Sequence, residues 1–224
     1  MLVKKIKDLT KKINRKGIAP ILLIRLAELV SSRAFIYDRF FIFVCYKFNN
    51  RMYRKLDNGL QLIVQDAKEE DLYRLKRDLD INLPIILFQI KNASGKVKII
   101  TIEKNGETIA VSLFKEDHII RSPSGYCLDL GEENKFMWVF GAYVHPRYRL
   151  KGYHMHLLTK ANDLCQEKGL KCIMCEIHYL NANSISSHVR LGFEIYKDIH
   201  YLKILNMKRY FEGSKTSPFI MSLI

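Results

Sequence analysis

The hairpin signal in the middle of the chain constrains the fold more than any other local pattern. Two runs rich in β-branched residues, KVKIITIEK and ETIAVSLF, are joined by Asn105-Gly106. Asn-Gly is favoured in tight two-residue hairpin turns, because both positions need a positive φ. The sequence therefore predicts an antiparallel strand pair here, which other strands extend into a sheet.

Further strands alternate with helices on both sides of this hairpin. The predicted strands are LQLIVQDA, an edge or hairpin strand in SGYCLDL, KFMWVFGAYVH, LKCIMCEIHYL and a final strand, FEIYKDIHYLKIL. The predicted helices are KEEDLYRLKRDL, RLKGYHMHLLTKANDLCQEKG and NSISSHVRL. This mixture predicts an α/β fold of the α+β type, with a mixed, mostly antiparallel sheet flanked by helices.

The positive charge is concentrated at the amino terminus. Residues 1–55 carry 14 Lys or Arg and three acids, a net of +11 out of +14 for the chain. Apolar periodicity predicts helices over residues 3–16 and from Pro20 to about Ala34, followed by an extended aromatic segment. We expect a basic extension at 1–55, a domain at 56–206 and a tail at 207–224.

The first predicted helix is basic and amphipathic, which leaves two interpretations open. Residues 1–18 contact an anionic membrane or polymer, or they form a solvated face packed against the domain. The apolar stretch that follows is interrupted by Arg25 and Glu28, so neither a signal peptide nor a membrane-spanning helix is expected.

The five cysteines give no disulfide framework, because their number is odd and their spacing irregular. Reduced thiols are typical of cytoplasmic proteins. Cys172 and Cys175 have CxxC spacing, but no second CxxC or histidine pair accompanies them. The sequence therefore predicts a cytoplasmic protein without a metal site, with peripheral membrane contact as a variant.

A basic, glycine-bearing turn follows the strand that ends near Val144. The segment VHPRYRLKGYH leads from this strand into a helix. Free N–H groups at a helix N-terminus, aided by the helix dipole, favour phosphate groups. The turn is therefore a candidate diphosphate cradle.

The stretch from about Leu60 to Leu205 resembles the GCN5-related N-acetyltransferase (GNAT) superfamily. That family has an Arg/Gln-x-x-Gly-x-Gly/Ala turn, whose amides bind the pyrophosphate of acetyl-CoA. The resemblance implies that the matching residues bind this cofactor: Arg149, Leu150, Lys151, Gly152, Tyr153 and His154. His154 departs from the family, because Gly or Ala is usual at its position.

A second block of the family is similar to Asn181-Ala-Asn-Ser184-Ile-Ser-Ser-His188, followed by Gly-Phe. The resemblance implies that Asn181 and Ser184 lie against the pantetheine arm of the cofactor. His188 stands where the family often has a tyrosine that protonates the departing thiolate. Two interpretations are open: His188 is this acid, or water or Tyr179 protonates the thiolate.

Two strands complete the candidate site. In the family, the strand matching FGAYVH parts from its neighbour and pairs with pantetheine, which implies that Ala142, Tyr143 and Val144 bind the cofactor. Gly141 is a candidate for the bulge that opens such a gap. Glu176 matches the position of a catalytic base in some members, and a partly buried carboxylate suits that role.

The sequence therefore predicts a metal-free N-acetyltransferase. It would transfer an acetyl group from acetyl-CoA to a primary amine by direct attack in a ternary complex. Two alternatives are an acyl-CoA-binding sensor or scaffold that has lost catalysis, and an acyltransferase that uses a longer acyl chain at a membrane surface. No pattern in the sequence identifies the acceptor amine.

Overall fold

The computed structural model describes residues 35–49, 56–79, 81–93, 95–123, 125–204 and 207–213. The chain divides into a larger compact unit, Phe41–Tyr196, and a smaller one, Met1–Phe40 with Lys197–Ile224. The helices predicted at residues 3–16 and 20–34 lie outside the described residues. The predicted boundaries after residues 55 and 206 also adjoin such residues and stay predictions.

The described residues form ten strands and four α-helices. The strands are β1 (Phe35–Cys45), β2 (Leu60–Asp66), β3 (Lys98–Lys104), β4 (Glu107–Asp117), β5 (Ile119–Arg121), β6 (Cys127–Asp129), β7 (Phe136–Val144), β8 (Ile173–His178), β9 (Glu194–Ile204) and β10 (Met207–Glu212). The helices are α1 (Glu69–Leu79), α2 (Leu83–Lys91), α3 (Tyr153–Glu167) and α4 (Ala182–Arg190). Short 3-10 helices span Glu132–Asn134 and Pro146–Tyr148.

The sheet of the larger unit has the strand order β1-β8-β7-β4-β3-β2. The pairs β2–β3, β3–β4 and β4–β7 are antiparallel, whereas the pair β7–β8 is parallel. Flanking helices cover this sheet, and the predicted mixed, mostly antiparallel fold is confirmed. The aromatic residues of the core include Phe41, Phe43 and Trp138, all at most 2% exposed.

The predicted hairpin is confirmed at Asn105-Gly106. Their φ values are 52° and 81°, which is why this pair suits the turn between β3 and β4. The SGYCLDL segment also forms a hairpin strand, since β6 pairs antiparallel with β5 in a separate two-stranded sheet. The turn between β3 and β4 therefore follows from local sequence chemistry.

Helices lie on both faces of the central sheet. The Nζ atom of the fully buried Lys115 on β4 lies 3.5 Å from the Gln89 carbonyl of α2. The next residue, Glu116, pairs with Lys168 just beyond the end of α3. Because adjacent strand residues point to opposite faces, α2 and α3 cover opposite sides of β4. The segment that forms α2 was not predicted as a helix.

The smaller unit is held by a buried ion pair between β1 and β9. Arg39 Nε lies 2.9 Å from Asp198 Oδ1, and Arg39 Nη2 lies 2.7 Å from Oδ2. His200 Nε2 lies 3.4 Å from the same carboxylate, and Tyr37 bonds the other ring nitrogen at 2.7 Å. Burial acts to raise the pKa of Asp198, but the bonds from His200 and Arg39 outweigh it and hold the pKa below its ordinary value.

Strand β10 corrects the sequence analysis. The sequence predicts FEIYKDIHYLKIL as the final strand, but β10 follows it and pairs antiparallel with β9 from Met207–Ile204 to Glu212–Ile199. The charged residues of MKRYFE lower its intrinsic preference for a strand, so its sequence does not predict one. Pairing with β9 stabilises the strand. No helix in the described part of the chain has the length and apolarity to cross a bilayer.

We predict that Arg39→Met lowers the free energy of unfolding by about 3–5 kcal/mol, because the buried Asp198 carboxylate loses both guanidinium bonds and retains only His200. Urea unfolding of the full chain at pH 7 measures this. The double variant Arg39→Met/Asp198→Leu is the matched control and should recover most of the loss. A single variant as stable as the wild-type protein would contradict the prediction.

Candidate active site

Strands β7 and β8 part near their carboxyl ends. Their ladder joins Met137 to Ile173, Trp138 to Met174 and Val139 to Cys175. Both strands continue past the last of these pairs, to Val144 and His178, without further pairing between their described residues. Main-chain groups on the facing edges are therefore available to another extended chain or ligand.

A bulge in β7 lies at this parting. Leu113 pairs with Phe140 and Val111 pairs with Tyr143, so Ser112 opposes two residues, Gly141 and Ala142. Gly141 has a φ of +60°, and an added Cβ would lie 2.9 Å from Leu113 Cδ1 and 3.1 Å from a carbon of Ile86. The bulge expected at this glycine is present, and its left-handed φ favours glycine there, while an added Cβ would displace the neighbouring side chains.

The three predicted binding residues of β7 follow the bulge. Tyr143 and Val144 use one backbone edge to pair with Val111 and Ala110 of β4. Their other edge faces the gap towards β8. Ala142 is exposed, and the other two residues are half-buried. This half-used edge is the arrangement that strand-like ligand binding needs.

The turn before α3 presents a run of main-chain amides. Leu150 and Gly152 have φ values of +63° and +82°, and Gly152 is the N-cap of the helix. Among the described residues, the amides of 150–154 have no hydrogen-bond acceptor, whereas Met155 N donates to Gly152 O. Alternating left-handed and right-handed residues at a helix N-terminus form an anion-binding concavity.

Cationic side chains surround this turn. Arg149 Nε donates to the Val144 carbonyl at 3.1 Å, and its guanidinium lies 5.6 Å from the Tyr143 ring centre. Lys151 Nζ lies 5.6 Å from the ring of Tyr148. The Leu150 side chain is fully exposed. The turn is therefore positive, and Arg149 ties it to the end of β7.

Tyr153 contributes its amide to the turn and its side chain to the core. The ring is 6% exposed and its hydroxyl bonds to Asp57. Burial, followed by the Asp57 charge, raises the pKa of Tyr153. The side chain therefore fixes the start of α3 against the loop before β2.

The side chain of His154 points away from the turn and meets His188. Their ring centres lie 5.1 Å apart, with the planes tilted by 56°. His154 Nε2 is buried and has no hydrogen-bond partner among the described residues. Burial, and then the neighbouring His188, lowers the pKa of His154 to about 3. The ring is therefore neutral at pH 7, and its direction leaves the His154 amide accessible.

His188 sits in a cage of aromatic rings. The ring centre of Phe193 lies 4.8 Å away and that of Phe43 lies 6.1 Å away. His188 Nδ1 donates to the Ser184 carbonyl at 2.7 Å, so this nitrogen carries the hydrogen. Burial lowers the pKa of His188 to about 4. At pH 7 its Nε2 is therefore an unprotonated acceptor.

Asn181 and Ser184 occupy the first turn of α4. Asn181 Oδ1 accepts from the Ser184 amide at 3.2 Å, which makes Asn181 the N-cap. Ser184 Oγ lies 3.4 Å from His188 Nδ1. The cap bond uses the side-chain oxygen of Asn181. The side-chain NH2 group of this exposed residue remains for other contacts.

Glu176 is the first residue of β8 beyond the last pair with β7, and it is half-buried. His178 lies two residues later and therefore on the same face; it is exposed, and Tyr179 packs against it at 4.9 Å between ring centres. The structure thus gathers the candidate residues of β7, β8, α3 and α4 in the larger unit around the parted strands. Their individual roles stay predictions.

The sequence model described as the acetyltransferase (GNAT) family matches residues 60–193, more than half of the chain. The chain belongs to this family. Membership supports acyl transfer from coenzyme A in general terms. No protein of curated function matches the sequence.

Solved structures show the fold only, because sequence identities are low. A Drosophila protein is 15% identical with a TM-score of 0.51; the match covers 82% of this chain and 57% of that one. A conserved protein of unknown function from Staphylococcus epidermidis is 12% identical with a TM-score of 0.50, covering 84% and 68%. A putative GNAT acetyltransferase from Novosphingobium aromaticivorans is 12% identical with a TM-score of 0.48, covering 84% and 80%.

Two features of this GNAT site were not predicted from the sequence. The aromatic cage joins Phe43 of β1 to Phe193 after α4, and only tertiary packing reveals it. Helix α2 brings Ile86 against Gly141. A signal for α2 was present, since Asn82 is its N-cap and Pro84 lies in its first turn. The described residues contain no metal-ligand group of three or more side chains.

We predict that the imidazoles of His188, which is buried, and His154, which is half-buried with its Nε2 enclosed, make the protein less stable in acid. Their folded pKa values lie below the ordinary value near 6.5, so the unfolded state binds more protons as the pH falls from about 6.5 towards 4. Each imidazole adds a slope of about 1.4 kcal/mol per pH unit in this window. The full contribution is present above pH 6.5.

Urea unfolding at several pH values between 5 and 6.5 measures this slope. His188→Gln should reduce it by about 1.4 kcal/mol per pH unit, whatever its effect on stability at pH 7. The same change at the exposed His178 is the matched control. An unchanged slope in His188→Gln would show that His188 is not buried in its neutral form.

Proposed function

We propose that the chain transfers an acetyl group from acetyl-CoA to a primary amine by direct attack within a ternary complex. One observation carries this proposal: five consecutive amides, at residues 150–154, lack acceptors in the described part of the chain and lie beside the parted ends of β7 and β8. A diphosphate and a strand-like arm are the two parts of coenzyme A that such features suit.

The described residues fit the cofactor at both ends. The amides of 150–154, with Arg149 and Lys151, would hold the diphosphate. The edge of residues 142–144 that faces the gap would pair with the pantetheine arm, beside the bond from Arg149 to the Val144 carbonyl, and Asn181 and Ser184 would line its other side. The fit is supported at His154, where the larger side chain turns towards His188 instead of filling the turn.

Few proton transfers are required of the protein. Bound acetyl-CoA would supply an activated acyl carbon and a thiol leaving group. Glu176, at the open end of β8, would take a proton from the attacking amine, directly or through water. Bringing the two reactants together contributes several kcal/mol to lowering the barrier without further side chains.

His188 would act as an acid only after it has accepted a proton. Its Nδ1 hydrogen is held by the Ser184 carbonyl, so its Nε2 must first be protonated. A buried imidazolium with a low pKa is a strong donor and would return that proton readily. His188 would therefore act as a proton shuttle, with water or Tyr179 as the alternative donor.

The resting state of His188 also favours a second candidate function, an acyl-CoA sensor or scaffold that does not turn over. At pH 7 its Nε2 has no proton to give. Incubation with acetyl-CoA and a panel of primary amines, with detection of released thiol, separates the two functions. If the protein binds the cofactor but releases no thiol with any of the amines, the result would favour the sensor and contradict the transferase.

We predict that Gly152→Ala weakens acetyl-CoA binding about tenfold, since a left-handed residue with a Cβ costs roughly 1–2 kcal/mol and the turn must shift. Gly169→Ala is the matched control at the other end of α3. Both glycines have positive φ and open space around an added Cβ. Titration calorimetry measures both affinities. Equal affinities in the two variants would contradict a diphosphate at this turn.

For the chemical step, we predict that Glu176→Gln lowers kcat with an accepted amine by about 100-fold or more, because the base is lost. The acetyl-CoA affinity should stay within about twofold, since this carboxylate is not expected to bind the cofactor. Steady-state kinetics and calorimetry on the same sample measure the two quantities. A variant with unchanged kcat would remove Glu176 from the mechanism.

A further inference from the structure

Helix α2 has an apolar surface that the rest of the described chain leaves partly uncovered. Of its nine residues only Gln89 and Lys91 are polar, yet only Ile86 and Gln89 are buried. Ile85 is 41% exposed, Pro84 is also exposed, and the other apolar residues are half-buried. Surface helices of globular proteins normally turn polar residues to water. The inverted pattern of α2 indicates a surface that packs against an apolar group.

The first turn of α2 lies at the end of the sheet where β7 and β8 part. A carbon of Ile86 lies 3.1 Å from the position of an added Cβ at Gly141. One turn later, the Gln89 carbonyl lies near Lys115, which pairs with Trp138 earlier in β7. Helix α2 therefore runs antiparallel to β7, and its residues before Ile86 lie towards the opening.

The proposed base, Glu176, lies on the face of the sheet that α2 covers. Lys115 faces α2, and the register pairs Lys115 with Trp138 and Trp138 with Met174. Directly paired residues share a face, and so do residues two apart in one strand. Met174 and Glu176 therefore face the α2 side, whereas the cofactor turn begins α3 on the opposite side. An amine that reaches Glu176 approaches from the α2 side.

The carboxylate and the apolar surface also stand at the same level of the sheet. The last pair between β7 and β8 joins Val139 to Cys175, so Glu176 is level with Phe140, the residue before Gly141. Neighbouring strands lie about 4.8 Å apart where they are paired. Glu176 and the first turn of α2 therefore border the same opening, one from β8 and the other from above β7.

The charges on this side favour one amino group on an apolar body. Helix α2 carries no carboxylate, and its one charged residue is Lys91 in the last turn. A polycationic acceptor would meet no counter-charge on the helix, and the hydroxyls of a sugar would lose water against apolar side chains. An alkyl or aryl chain instead gains free energy when it leaves water. The Glu176 carboxylate complements a single ammonium group.

We propose that the acceptor is a primary amine with an alkyl or aryl body, which packs on Ile85 and the first turn of α2 while its amino group lies at Glu176. This substrate class rests on the proposed acetyl transfer. The amine nitrogen bonds to the acetyl carbon as the bond from that carbon to sulfur breaks. The nitrogen loses a proton to Glu176, and the thiolate takes up a proton from His188 or, in the alternative, from water or Tyr179.

A series of linear amines tests the apolar body. Ethylamine, butylamine and hexylamine have nearly equal basicity, so differences in thiol release from acetyl-CoA report the length of the chain. We expect kcat/KM to rise about fourfold per fully buried methylene and at least tenfold from ethylamine to hexylamine. Spermidine, a polycation, and glucosamine, an amino sugar, should be poorer acceptors than hexylamine. Equal values along the series, or a preference for spermidine or glucosamine, would overturn the substrate class and leave acetyl transfer intact.

Ile85→Ser tests the contact with α2. It should raise KM for hexylamine about fivefold with kcat unchanged, because the chain binds equally in the ground state and the transition state. KM for ethylamine should stay within about twofold. Tyr73→Ser, at a residue of α1 that is 55% exposed, is the matched control, and Ile85→Met should keep the preference for hexylamine. Equal effects of Ile85→Ser on both amines would overturn the contact.

Amide chemical shifts separate failure of this inference from failure of the proposed transferase. Hexylamine added to the full chain should shift residues 85–88 and 176–178, and ethylamine at the same concentration should not. If hexylamine causes these shifts but no amine releases thiol, the transferase is contradicted and the apolar amine site stands. If thiol is released but hexylamine leaves these residues unshifted, acetyl transfer stands and the apolar amine site is overturned.

Discussion

The parting of β7 from β8 beyond Val139 and Cys175 is the constraint on which the candidate active site depends. Two parallel strands that stay paired leave no main-chain group for a ligand, whereas two that part present an unused edge on each side. The bulge at Gly141 shifts the register of β7 at this point, and an added Cβ there would meet side-chain carbons of Leu113 at 2.9 Å and Ile86 at 3.1 Å. The opening therefore coincides with a bulge whose positive φ favours glycine.

The two departures from the family's motifs are neighbours in space. His154 replaces a small residue in the first motif, and His188 replaces an aromatic residue in the second, yet their rings lie 5.1 Å apart. A larger side chain in the first motif is accommodated because it packs against the second, inside a cage that Phe43 and Phe193 complete. The same burial keeps both imidazoles neutral, which changes what His188 can do as an acid.

Much of the fold was predictable where local chemistry decides conformation. Asn105-Gly106 favours its turn in any context, and the acids that open α1 suit the positive end of a helix. Helix α2 was missed because its sequence, LPIILFQIK, is apolar on nearly every side and gives little helical periodicity. Strand β10 was missed because pairing with β9 compensates for its charged residues.

The sequence by itself determined the family, the positions of both motifs and the turn whose glycine and helix start expose main-chain amides. These follow from residue types at short spacing, which act through local backbone preferences. Only the tertiary structure decided that β7 and β8 part after three pairs and that His154 meets His188. These depend on contacts between segments far apart in the chain, and local preferences carry no information about which distant residues will meet.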